Sequence, residues 1–169
     1  KAAPEIGFTD DFARSRDDVD PWMVVSGNWG VSSFRDPNLS SNPFKYAGHS
    51  NSPELKLSCT GNYWWRDYRI SASVELHEGE GSAGLAACLK GTDGYFLIVA
   101  PPGKVALVRV VGAESSKLAR SNYPLRAGVW YRLALETAHG RLVGSIDGNI
   151  VVSAADTSHR RGKAGLVLA

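Results

Sequence analysis

Apolar and polar residues alternate along most of this chain, and that pattern predicts strands instead of helices. In the run 68–76, Tyr68, Ile70, Ala72, Val74 and Leu76 share one face, while Arg69, Ser71, Ser73 and Glu75 share the other. A period of two over this length marks a strand buried on one side. The run 130–137 repeats it through Tyr131, Leu133 and Leu135, and the run 141–146 through Leu142 and Ile146. Strand-like runs span 7–12, 22–26, 30–34, 46–49, 54–59, 68–76, 83–89, 95–100, 104–111, 115–121, 129–137, 141–147, 150–154 and 164–168. Roughly eleven to thirteen strands are expected from them, at the spacing of an all-β sandwich or barrel. Turn residues punctuate the runs. Asp147-Gly148-Asn149 is the strongest hairpin signal, because Gly and Asn accept positive φ at little cost.

The chain has 169 residues, 43% of them hydrophobic and 21% charged, which is ample for one domain with its own core. Nineteen Lys and Arg against 17 Asp and Glu leave a formal charge of +2. That balance points away from nucleic acid as a partner. No apolar run approaches the ~20 residues needed to span a bilayer as a helix. Cys59 and Cys88 both fall in strand-like runs, without metal-ligand spacing. Two readings stay open for them: buried thiols, or one disulfide. The loop 36–43 is polar, carries two prolines, and includes the glycosylation triplet Asn38-Leu39-Ser40.

Catalytic signatures are weak. Gly79-x-Gly81-x-x-Gly84 matches a dinucleotide fingerprint in letters, but the following run is too short for the helix that would hold a pyrophosphate. A hairpin turn is expected there. Glu75, Glu78 and Glu80 cluster without placing several acids on one face of a strand, as a glycosidase pair in a cleft requires.

The order of several short motifs is more telling. Asp10-Asp11-Phe12 opens the chain, and Trp22, Gly27 and Trp29 follow. Then come Trp65 and Tyr68, Ala83-Gly84-Leu85, Gly94-Tyr95-Phe96-Leu97, Gly128-x-Trp130-Tyr131-Arg132-Leu133, Ile146-Asp147-Gly148 and Gly162-x-Ala164-Gly165-Leu166. This order resembles the concanavalin A-like, laminin G-type jelly rolls found as accessory modules of bacterial glycosidases and as the lectin-like domain of galactosylceramidase. The resemblance spans nearly the whole chain. It implies a single antiparallel β-sandwich over residues 1–169, with a carbohydrate or glycoconjugate as ligand. It also implies a structural Ca²⁺, for which Asp10 and Asp11 match the family's acidic opening; an ion of this kind needs several converging oxygens. Such domains carry a closing strand after the Gly-x-Ala-Gly-Leu segment. The expectation is therefore a module that lacks this strand or receives it from elsewhere, next to a catalytic domain or partner subunit. An extracellular, periplasmic or secretory location is expected with it.

Two segments are candidates for ligand contact. Adjacent strand residues point to opposite faces, so if Trp64 and Trp65 lie in a strand one is expected to pack inward and the other to lie on the outer face or at a strand end. An exposed Trp beside Tyr63, Arg66 and Asp67 suits a sugar, the ring taking C–H groups and the polar neighbours taking hydroxyls. The polar loop 156–161 carries His159, Arg160 and Arg161, and arginines suit a carboxylate or phosphate. The expected contact set is Trp64, Trp65, Arg66, Tyr95, His159 and Arg160. The leading expectation is a non-catalytic, lectin-like module. A protein-docking module and a sugar-processing hydrolase are the alternatives.

Overall fold

The alternating runs become thirteen strands in a computed structural model, which describes residues 7–33, 44–49, 54–77 and 81–168. In chain order they are β1 (Met23–Ser26), β2 (Asn28–Ser33), β3 (Phe44–His49), β4 (Lys56–Thr60), β5 (Arg69–Glu75), β6 (Ala83–Lys90) and β7 (Asp93–Ala100). They continue with β8 (Lys104–Val111), β9 (Glu114–Asn122), β10 (Trp130–Ala138), β11 (Arg141–Ile146), β12 (Asn149–Ala155) and β13 (Lys163–Leu168). All pairings are antiparallel. A seven-stranded sheet runs β1-β4-β13-β6-β7-β8-β9, and a four-stranded sheet runs β12-β11-β10-β5. Among the described residues no helix is long and apolar enough to cross a membrane.

The predicted faces are the ones that pack. Tyr68, Ile70, Ala72, Val74 and Leu76 join Leu133, Leu135, Leu142 and Ile146 in the main core, against Leu85, Tyr95, Leu97 and Leu107 of the large sheet. Each fully buried Leu or Ile contributes about 1.5–3 kcal/mol of apolar transfer. Two hairpins close the small sheet with two-residue turns. His139-Gly140 and Asp147-Gly148 have φ of 50° and 79°, and of 49° and 81°, as the tightest right-twisting hairpin turn demands.

The hairpin β2–β3 forms a sheet of its own. The Tyr46 hydroxyl meets Ser58 Oγ at 2.9 Å, and Ser58 lies opposite Leu166, a neighbour of the main core. The hairpin therefore covers the β1–β4–β13 end of the same face that the four-stranded sheet covers elsewhere. On the opposite face of the large sheet, Leu57, Cys59, Ala86, Leu89, Phe96 and Val167 make a second apolar cluster. Cys59 and Cys88 thus belong to different faces of one sheet, and both are buried free thiols. Burial pushes the Cys88 thiol up to about 11 and raises that of Cys59.

One predicted strand is absent. Residues 7–12 form no strand, because side chains capture the backbone there. Asp10 Oδ1 accepts the Phe12 N–H at 2.8 Å, and Asp11 Oδ1 accepts the Ala13 N–H at 3.0 Å. Such Asx turns compete directly with sheet pairing. The glycine-rich segment does not close the expected hairpin, because β5 and β6 belong to different sheets; its described part, from Gly81, leads into β6 at Ala83. A side chain at Gly84 would collide with the Leu97 carbonyl across the sheet. Glu78, Glu80 and the loop 36–43 with Asn38 lie outside the described residues.

Candidate functional site

The β4–β5 connection starts at Gly61, whose φ of +91° suits glycine, and a Cβ there would strike the Trp65 ring. Asn62 then folds the loop. Its Oδ1 accepts the Trp64 N–H at 2.9 Å, and its carbonyl accepts the Trp65 N–H at 3.1 Å. This turn sends the two tryptophans apart. Trp65 packs inward, with ring centroids 6.1 Å from Phe8 and 5.9 Å from Tyr68. Trp64 is turned outward and is 69% exposed, and Tyr63 beside it is 46% exposed. Asp67 faces away and accepts the His139 N–H at 2.8 Å.

The β12–β13 connection is tied down from beneath by Tyr95. This tyrosine is fully buried, and its hydroxyl donates to Asp156 Oδ1 at 2.6 Å while accepting the His159 N–H at 3.1 Å. Arg109 donates to Asp156 Oδ2 at 2.8 Å, and Ser158 N–H donates to Oδ1 at 2.8 Å. Burial pushes the Asp156 carboxyl upward, but its hydrogen bonds from Tyr95, Ser158 and Arg109 outweigh that and bring it to about 2. Burial and the neighbouring carboxylate hold the Tyr95 phenol well above its usual range. The His159 ring meets Tyr95 edge-on at 5.2 Å, and its Nε2 lies 2.7 Å from the Val110 carbonyl.

The two connections are joined. Gly162 N–H donates to the Trp65 carbonyl at 2.9 Å. The buried Tyr68 hydroxyl reaches the carbonyls of Gly162 and Lys163 at 3.1 and 3.0 Å, and accepts the Cys88 N–H at 2.8 Å. Gly162 has a φ of +154°, and a Cβ there would enter the backbone of Cys88. Above this seam the Arg161 guanidinium lies 4.9 Å from the Trp64 ring centroid, and Lys163 Nζ lies 4.9 Å from that of Tyr63. The result is a surface platform of two aromatic rings, each paired with a cation.

Of the predicted contact residues, Trp64, Arg66 and Arg160 are exposed at these loops. His159 is half-buried and acts as a tie. Trp65 supports the platform from inside, and Tyr95 offers no surface to a ligand because it lies wholly beneath the loop. Lys163 was not anticipated. It begins β13, and nothing local in the sequence shows that this strand end comes beside Tyr63.

The donor set at the chain's first acidic pair does not fit Ca²⁺. Asp10 takes a bidentate ion pair from Arg14 at 2.7 and 2.8 Å, the Phe12 N–H at 2.8 Å and the Trp22 indole N–H at 2.7 Å. Burial opposes its ionisation, but the Arg14, Phe12 and Trp22 hydrogen bonds prevail and lower its pKa. A guanidinium already occupies the place where a cation would bind. Among the described residues no three His, Cys, Asp or Glu side chains gather as metal ligands.

A separate open cleft of about 520 Å³ lies beside β2 and β3, with Arg16, Asp17, Asn28 and Trp29 in its wall.

The architecture is shared with solved structures. The carbohydrate binding module CBM66 from Bacillus subtilis superposes with a TM-score of 0.72 at 18% identity, over 87% of this chain and 86% of that one. This chain has the concanavalin A-like jelly-roll fold. A Bacillus subtilis protein of unknown function with a galectin-like fold follows, with a TM-score of 0.65 at 15% identity over 94% and 88% of the two chains. A β-glucanase from Bacillus licheniformis gives 0.59 at 13% identity over 94% and 82%. No family model and no curated protein matches the sequence. Identities this low establish the jelly roll alone, and one such fold serves many activities.

Proposed function

We propose that this jelly roll is a non-catalytic, lectin-like module that binds carbohydrate through the platform of Tyr63 and Trp64, as an accessory part of a larger exported protein. The observation that carries this reading is Trp64, a large aromatic ring left 69% exposed on a loop whose backbone is fixed from below. An isolated exposed Trp is commonplace. A paired, anchored one with cations alongside is a surface to which a sugar ring can apply its C–H face while its oxygens meet N–H donors. The carbohydrate binding module among the structural neighbours supports the reading.

A glycan array followed by calorimetric titration tests it. The expected result is binding of at least one glycan class, lost in Trp64→Ala and kept in Asn28→Ala. Because Trp64 is exposed, Trp64→Ala should unfold within about 0.5 kcal/mol of the wild type. Absence of binding to every glycan would overturn the proposal. Binding that survives Trp64→Ala but falls with Asn28→Ala would move the site to the cleft beside β2, which has the volume of a typical ligand pocket.

A further inference from the structure

The platform is rich in donors and poor in acceptors. Arg66, Arg160, Arg161 and Lys163 stand on the two joined loops and the start of β13. Among the described residues the ion pairs are Arg14–Asp10, Arg109–Asp156 and His139–Asp67, so none of these four cations has an acid partner. The acids of the same loops are engaged elsewhere. Asp156 is turned beneath the loop to Tyr95 and Arg109, and Asp67 to His139. The amide oxygen of Asn62 accepts the Trp64 N–H.

A neutral sugar presents hydroxyls that donate as well as accept, so its binding sites carry carboxylate or amide oxygens as acceptors. Of the acceptors just named, Asp156 and Asn62 are bonded within the loops and Asp67 is drawn toward His139. The remaining groups are two guanidinium forks, a third cation over the Trp64 ring and an ammonium over the Tyr63 ring. A guanidinium donates two parallel N–H bonds to a planar or tetrahedral oxyanion. Stacking on Trp64 pre-orients Arg161, so less rotamer freedom remains to be lost on binding.

We infer that the ligand of this platform is an acidic saccharide, bearing carboxylate or sulfate groups on sugar rings that lie against Trp64 and Tyr63. This deepens the carbohydrate-binding reading and rests on it.

The test is titration of the whole chain with polygalacturonate, dextran sulfate, neutral dextran and poly-glutamate. The first two separate carboxylate from sulfate. Binding to either of them, weakening as salt rises and exceeding dextran by tenfold or more, is the expected outcome. The double variant Arg161→Gln, Lys163→Gln should lose roughly tenfold in affinity for the acidic polymer, about 1.4 kcal/mol, and Arg161→Lys should fall between. Thermal melts of these surface variants should match the wild type, which separates lost contacts from lost structure. Equal affinity for dextran, or an unchanged double variant, overturns the inference and leaves carbohydrate binding standing. Equal affinity for poly-glutamate also overturns it, since charge alone then suffices. No binding to any saccharide, in this test and on the array, defeats both readings.

Discussion

Replacing Asp156 by Asn keeps the shape of the side chain and removes its charge. In the folded chain that carboxylate accepts from Tyr95, Arg109 and Ser158, and its pKa falls from the ordinary 3.8 to about 2. At about 1.36 kcal/mol per pH unit, this depression corresponds to roughly 2 kcal/mol of stability at neutral pH. Solvent reaches Arg109, so the salt-sensitive share is the smaller one and the Tyr95 bond the larger. The sign follows from linkage. A carboxyl whose folded pKa is depressed stabilises fully above its unfolded value of 3.8, and the gain vanishes as pH falls through about 2. Urea unfolding of the wild type and Asp156→Asn across acidic and neutral pH is the assay. The gap should be about 2 kcal/mol at neutral pH, hold down to about pH 5, and narrow steadily below pH 4. A gap that is absent, or that stays constant down to the lowest pH at which both proteins fold, would refute the account of the Asp156 knot.

Tyr68→Phe should destabilise by about 2–3 kcal/mol in urea unfolding, because the Cys88 N–H is left buried without its acceptor; a loss under about 1 kcal/mol would mean that the tether is dispensable. Cys59 and Cys88 should react with an aromatic disulfide reagent only as fast as the chain unfolds, since both thiols are buried and held protonated; prompt labelling of the native protein would contradict their placement.

Alternation made most of the fold legible. The faces of β5, β10 and β11 follow from period two, which is a local property, and the Asp147-Gly148 hairpin follows from two residues that accept positive φ. The same logic misplaced residues 7–12. Phe8 and Phe12 fall on one face of a period-two pattern, but Asp10 interrupts that face, and the carboxylates of Asp10 and Asp11 take backbone N–H groups for themselves. Alternation also failed for Tyr95, which was expected to touch a ligand. Tyr95 and Phe96 point to opposite faces of β7, and each face turns out to be apolar, so nothing local marked Tyr95 as the one buried beneath the β12–β13 loop. The split between Trp64 and Trp65 was expected from strand alternation but arises outside any strand, from the Asn62 turn, and the meeting of Tyr63 with Lys163 was not foreseeable. It depends on β13 inserting between β4 and β6, a pairing between residues about a hundred positions apart.

That insertion also explains how the proposed platform can sit on loops without being loose. Two buried tyrosines anchor the β12–β13 side from below, Tyr95 at Asp156 and His159 and Tyr68 at Gly162 and Lys163, and the Gly162–Trp65 backbone bond ties the β4–β5 loop to it. Both hydroxyls bond to backbone or to a fixed carboxylate, so the loop positions are set by the core and not by the surface residues of the proposed platform. The two sets of residues should therefore separate under mutation. Changes to Trp64, Arg161 or Lys163 should act on binding with the fold intact, because the contacts they lose are the surface stacks of Arg161 on Trp64 and of Lys163 on Tyr63. Changes to Tyr68, Tyr95 or Asp156 act on stability first, and on binding through the displaced platform. For the proposed ligand, loops fixed in this way leave little ordering to compensate, which suits a shallow, preorganised platform on an otherwise ordinary sandwich.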